Sequence, residues 1–339
     1  MAEQEQDSRQ DSQQESRQGA QPDAAQEPEQ SGNESLVTVV LAFAANVAIA
    51  IAKSVAALIT GSASMVAEAA HSWADSGNEV FLFIAARRSS AAPDSAHPLG
   101  FGRDTYVWSL FAAFGLFTVG AVLSVQHGIS ELGERGPAEE PVVAYIVLGL
   151  SFVLEGVSFL RALGQVRRAA AAADRDPLHH VLHTSDPTVR AVFFEDLAAL
   201  VGIVIAVTGI LLHQLTGSGV WDAAGSIGVG LVLGVVAVLL IQLNRRFLIG
   251  EAVDTGIRQA AIQLLTDHAE VTRVTYLHIE YVGPGRVFVV AAVDLAGDAP
   301  EHTVAERLHD LAEQLQARPH IVRAVLTLSR ATDPTLTPA

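Results

Sequence analysis

Between Leu36 and Ile249 the chain carries several stretches of about 20 residues with almost no charge, each long enough to cross a hydrocarbon core of roughly 30 Å. A soluble protein of 339 residues would instead spread its apolar side chains at helix or strand period over about two domains. Nor does the charge suit a nucleic-acid binder, which needs a basic surface, because 21 basic residues stand against 37 acidic ones. The absence of cysteine removes disulfide frameworks, thiolate metal sites and thiol catalysis. One lysine, Lys53, beside 20 arginines and abundant alanine hints at a GC-rich bacterial genome, and with it a multi-pass protein of the cell (plasma) membrane.

Residues 1–34 hold nine acidic and two basic residues and no aliphatic or aromatic side chain beyond Met1. Such a segment cannot bury enough apolar area to offset ordering, so a disordered acidic tail is expected. It lacks the basic start and apolar core of a signal peptide. Residues 35–248 read as a six-helix transmembrane domain, with spans at about 36–59, 63–86, 105–129, 141–163, 188–212 and 221–246. Asp186-Pro187 supplies an N-cap and an N1 proline for the fifth span. Thr60-Gly61-Ser62 and Gly217-Ser218-Gly219 break the chain between spans.

Arginine counts orient the bundle. Arg87, Arg88 and Arg103 lie in the second loop, Arg167, Arg168, Arg175 and Arg190 in or beside the fourth, and Arg245 and Arg246 after the last span, whereas the first and fifth loops have none. The even loops and both termini are therefore expected on the cytoplasmic side. Residues 249–330 then read as a small cytoplasmic α+β domain in the order αββαβ, of ferredoxin-like type. Residues 331–339 form a tail.

Ionisable groups at bilayer depth cost about 2.5 to 3.5 kcal/mol each on the insertion scale, which makes each a functional candidate. Glu68, His71, Asp75 and Asn78 in the second span are spaced three, four and three apart and form one polar stripe. His and Asp at i, i+4 can chelate one cation, and imidazole with carboxylate favours a borderline metal such as Zn²⁺. The fifth span carries Glu195-Asp196. At 1.5 Å per residue, Asp75 lies ~16 Å from one end of its helix and Asp196 ~13 Å from the opposite end of its own, so both reach the midplane. Glu195 and Asp196 are about 100° apart on the helix, so one of them is expected to face the shared site fully. For Asn78 and Glu79, a hydrogen bond to a neighbouring helix is an equally good reading. Glycines in the spans, among them Gly115, Gly120, Gly202 and Gly230, are expected to allow close helix contact. Asp222 is expected to cap the sixth span or to guard the outer mouth.

The run Ala70-His71-Ser72-Trp73-Ala74-Asp75-Ser76-Gly77-Asn78 resembles the second-helix signature of the cation diffusion facilitator (zinc transporter) family. Asp94 to Arg103, with His97-Pro98-Leu99-Gly100-Phe101-Gly102, resembles its first cytoplasmic loop, and Phe194-Glu195-Asp196 is similar to the zinc transporter 9-like branch. The resemblance covers about residues 35–330. It implies a homodimeric antiporter, not an enzyme and without a cofactor, that exports Zn²⁺ from the cytoplasm against protons. It further implies a transport site of His71, Asp75, Asp196 and, as a fourth ligand, Glu195. The family's fifth-helix pattern is HxxxD, and here the histidine place holds Val192. That departure leaves Mn²⁺, Fe²⁺, Co²⁺ or Cd²⁺ open as cargo, and also a non-transporting metal-sensing or partner subunit. Asp94 and His97 match a loop metal site of some members, but Phe101 stands where a third donor is expected, so an ordinary loop turn competes with that reading. His179, His180 and His183 in the fourth loop would either collect metal or belong to a solvated linker. His278, His302 and His309 read as surface residues. The expected partners are thus a divalent ion, protons, lipid and a second copy of the chain, with no nucleic acid.

Overall fold

The computed structural model describes residues 29–132 and 141–337, with the backbone alone for 29–42 and 116–118. The chain forms two units, Met1–Ala45 and Asn46–Ala339. Every described helix and strand lies in the second unit, apart from the start of the first helix. Helix α1 spans Glu29–Thr60 and α2 Ala63–Ser89. Between them Gly61 takes a left-handed φ of +60°, which favours glycine, and Ser62 caps α2 by accepting from the Met65 amide at 3.2 Å. Helix α3 (Asp104–Leu116), a π-helical turn (Phe117–Val122) and α4 (Leu123–Glu131) follow without a break. Next come α5 (Pro141–Ala172), a short α6 (Pro177–His183), α7 (Pro187–Thr216) and α8 (Val220–Leu248).

Among the described residues, five segments are long and apolar enough to cross a membrane: Phe43–Thr60, Asp104–Glu131, Pro141–Ala172, Pro187–Thr216 and Val220–Leu248. Helix α2 is long enough at 27 residues, but the polar stripe expected from its sequence takes it below that apolar threshold. It is also the most enclosed helix. On one side Met65 packs with Ala56 and Ala57 of α1, Leu148 of α5 and Ile203 and Ala206 of α7. On the other, Ala67 and Ala74 pack with Ala121, Ala198 and the α8 residues Val229 and Leu233.

Several expectations shift. Helix α1 begins at Glu29, so the last six residues of the supposed tail are helical, since extending a nucleated helix costs little. Residues 1–28 lie outside the described ones. Helix α5 runs nine residues past its expected end at 163, because Arg167 to Ala172 are good helix formers. The fourth loop holds a helix rather than a plain linker: Asp176 caps α6, its carboxylate accepting from the Leu178 and His179 amides. Asp222 does cap a helix, but α2 and not its own. Its carboxylate accepts from the Ser62 hydroxyl at 2.9 Å and from the Ala63 and Ser64 amides at 2.7 and 3.1 Å.

After α8 the chain builds α9 (Thr255–Thr266), β1 (Val271–Gly283), β2 (Arg286–Leu295), α10 (Glu301–Gln316) and β3 (Ile321–Leu328). This is the expected αββαβ order. The sheet runs β1-β2-β3, antiparallel then parallel, with α10 as the crossover. Ile262 and Leu265 of α9 and Leu311 and Leu315 of α10 share one core with Val274, Ile279, Val289 and Val293, so both helices cover the same face.

The sheet domain is joined to the arginine-bearing helix ends. Arg103 at the start of α3 pairs with Glu280 of β1 at 2.5 Å. The Tyr106 hydroxyl donates to the Ser185 carbonyl, and the Ser185 hydroxyl accepts from the Gly285 amide. Tyr106 stacks on Phe247, whose ring meets Tyr281 edge-on. At Gly102 the backbone comes so close to Val282 and Gly283 that a Cβ would overlap them.

Candidate ion site

Helices α1, α2, α5 and α7 enclose a cavity of about 190 Å³. Asp75, Asn78 and Glu79 line it from α2, Glu195 and Asp196 from α7, and Glu155 from α5. Five carboxylates thus face one space, and no Lys, Arg or His is among its lining residues. The wall is partly ordered by hydrogen bonds. Asn78 donates to Glu195, and Asn46 of α1 donates to Glu79 at 2.6 Å.

His71 lies one turn from Asp75 and is 1% exposed. Its Nε2 is 3.1 Å from Asp75 Oδ2 without hydrogen-bond alignment, and neither ring nitrogen has a hydrogen-bond partner among the described residues. Asp75 Oδ1, Asn78 Oδ1, Glu195 Oε1 and Asp196 Oδ2 are likewise buried without one. Buried polar atoms in native folds are nearly always satisfied, so these are the atoms through which the site could hold a ligand. His71 stands beside the cavity and not on its wall. Among the described residues, no three His, Asp or Glu side chains already surround one point at coordinating geometry. Helices α2 and α7 therefore bring the four expected ligands to one region, where they do not surround a common centre.

The cavity has a direction. A second hollow of about 280 Å³ shares Ser158 and Val192 with it and continues along Arg161, Asp186 and Val189 toward the arginine-bearing ends of α5 and α7. Val192, in the place of the family's histidine, sits where the two hollows meet. Toward the opposite ends, Met65, Leu148 and Ile203 pack against one another, and the Asp222 cap ties α2 to α8.

The loop residues behave otherwise. Asp94 Oδ1 accepts from the Ala96 and His97 amides at 2.9 and 2.6 Å and meets His97 Nδ1 at 3.0 Å. The backbone bond from His97 is the main cause holding the Asp94 carboxyl below its usual range. Both side chains are half exposed, and the His97 ring packs on Phe101. Here the carboxylate orders a turn. In α6 the His179 and His183 rings stack at 4.1 Å, while burial followed by the charge of Arg175 lowers the pKa of His180. His278 and His309 pair with Glu280 and Glu313 on the sheet domain, and His302 is exposed.

Sequence reasoning missed Glu155 and Asn46, both on helices that read as plain apolar spans. A lone Glu in the middle of 141–163 was the available signal for the first.

The chain belongs to the cation efflux family: the model of the cation efflux transmembrane domain matches residues 39–249. The family resemblance carried by the second-helix and loop motifs is borne out. The mouse (Mus musculus) protein named proton-coupled zinc antiporter SLC30A9, mitochondrial, is 35% identical over 264 residues, 78% of this chain and 46% of its own length. Metal tolerance protein C4 of Arabidopsis thaliana is 35% identical over 233 residues, covering 69% of this chain and 51% of its own. Magnetosome protein MamM of Paramagnetospirillum magneticum is 26% identical over 283 residues, 81% and 80% of the two chains. The chain spans about half the length of the animal and plant relatives. It is a multi-pass membrane protein of a transporter family.

Proposed function

We propose that this protein exchanges Zn²⁺ for protons, moving the metal out of the cytoplasm, with His71, Asp75, Glu195 and Asp196 as the ion's ligands. The observation that carries this reading is the cavity in which carboxylates of α2 and α7 meet with no basic side chain on the wall. Negative charge gathered in one cavity needs a positive complement, and protons and a divalent cation compete to supply it. Imidazole and carboxylates together suit Zn²⁺ or a neighbour such as Mn²⁺, Fe²⁺, Co²⁺ or Cd²⁺, and the name of the SLC30A9 relatives supports zinc.

In this reading α2 is also a span, the second in chain order, lipid-shielded by the other five, and the arginine-bearing ends lie in the cytoplasm. The hollows continuous through Ser158 and Val192 then form the cytoplasmic approach, and the structure is the state open to that side. Metal entering displaces protons. A rearrangement brings His71 and the α7 carboxylates around the ion and opens the far side, where protons re-enter and release it. The protein works as a homodimer joined through its sheet domains. The animal relatives are named as mitochondrial.

Zinc uptake into inverted vesicles tests the reading. His71→Ala, Asp75→Ala and Asp196→Ala are each expected to fall to the background of empty vesicles, and wild type should release protons on zinc addition. Unchanged flux in the Asp75 and Asp196 variants would remove the site.

A further inference from the structure

The only lysine of the chain is Lys53, and it lies inside the bundle, not at a helix end. Its Nζ is 2.9 Å from Glu68 Oε2, and both side chains are 0% exposed. A buried ion pair is weak evidence of stabilisation, because desolvation of two charges offsets their attraction. Its placement is more telling. Glu68 is three residues from His71 and seven from Asp75, on the same polar stripe of α2. It lies ~10 Å from Asp75, on the side away from the arginine-bearing ends. Neither Lys53 nor Glu68 is among the residues lining the cavity. The stripe thus continues beyond the open cavity into a closed region of the bundle.

Within this closed region, unsatisfied donor atoms remain. Glu68 Oε1 and both ring nitrogens of His71 are buried without hydrogen-bond partners among the described residues. Glu68 also presses on α7: a Cβ built on Gly202 would come within 2.5 Å of Oε1.

We infer that Glu68, next along the stripe from His71, provides an outward subsite for a divalent cation, and that the Lys53 ammonium occupies it as a tethered substitute while the protein faces the cytoplasm. The inference builds on the reading of α2 as an ion-ligating helix. An ion held by Asp75 and the α7 carboxylates cannot advance while a fixed positive charge fills the next carboxylate. When α1 and α2 separate, Lys53 withdraws and Glu68 is the next oxygen donor on the exit path. The lysine acts as a plug that a cation displaces and that returns after the cation leaves.

The experiment is Zn²⁺ binding stoichiometry on the purified full chain in detergent, by equilibrium dialysis. Lys53→Gln is expected to bind one more Zn²⁺ per protomer than wild type. That extra ion should survive Asp75→Asn in the same background and vanish in the Lys53→Gln, Glu68→Gln double variant. An unchanged stoichiometry in Lys53→Gln overturns the inference. If Lys53→Gln is unstable, its thermal unfolding is followed with and without Zn²⁺: metal should restore the wild-type midpoint, and should do nothing for the double variant. Instability that Zn²⁺ does not relieve likewise overturns it. The two readings fail separately. Wild type that binds no Zn²⁺ while Lys53→Gln binds one ion removes the transport-site assignment alone, whereas equal binding by both removes the plug alone.

Discussion

Asp222 shows what one buried side chain can carry. Its three hydrogen bonds satisfy the start of α2 from another helix, and a lost cap costs about 1 to 2 kcal/mol. Asp222→Ala is therefore expected to lower the unfolding midpoint in detergent, with Asp222→Asn between it and wild type; an unchanged midpoint for the alanine variant would count against the cap. The sequence announced an acidic residue near a helix start, but not that the start belonged to a helix about 160 residues earlier in the chain. Glu155 was hidden for a similar reason. A single carboxylate in an apolar span has no local partner to form a pattern with, and only the packing of α5 against α7 turns it toward the cavity. Glu155→Gln should leave folding intact and slow zinc uptake about 10-fold, as changes around a metal site commonly do. Uptake at the wild-type rate would make Glu155 a bystander. Helical spacing alone puts His71 and Asp75 on one stripe and Glu195 and Asp196 at matching depth, and the structure brings Asp75, Glu195 and Asp196 to one cavity with His71 beside it.

Helix pairs are set by how closely backbones approach. A Cβ on Gly230 would meet the Ala121 carbonyl at 2.9 Å and the Val125 amide at 3.0 Å, so α8 and the π-helical turn before α4 touch through it. A Cβ on Gly115, expected to be another close contact, would meet no atom of another element within 4 Å among the described residues. The two glycines should diverge on substitution. Gly230→Ala is expected to cost about 1 to 3 kcal/mol through overpacking, whereas Gly115→Ala should be neutral or stabilise α3 by up to ~1 kcal/mol. Equal thermal shifts for both would contradict the packing. Apolar length and breaker residues located the spans, since those signals are local. The extension of α5 and the presence of α6 were less legible, although Asp176-Pro177 repeats the cap-and-proline device of Asp186-Pro187 ten residues earlier.

At the scale of the molecule, the sheet domain is held to the membrane helices by contacts of unequal strength. Arg103 is 40% exposed in its pair with Glu280, and such pairs contribute about 0 to 1 kcal/mol. The backbone contact at Gly102 and the buried Tyr106 ring stacked on Phe247 are not screened by water. Arg103→Ala should leave hydrogen exchange at residues 280–285 nearly unchanged, and Gly102→Val should raise it; the reverse order would show that charge holds the joint. The αββαβ domain was readable from its alternating strands, but this joint depends on residues 100 to 180 positions apart and leaves no mark on any short window. The solitary Lys53 has a practical consequence of its own. No ε-amine is exposed on the folded chain, so amine-reactive dyes and lysine-cleaving proteases find no side-chain target, and any labelling at that position would time the parting of the first two helices.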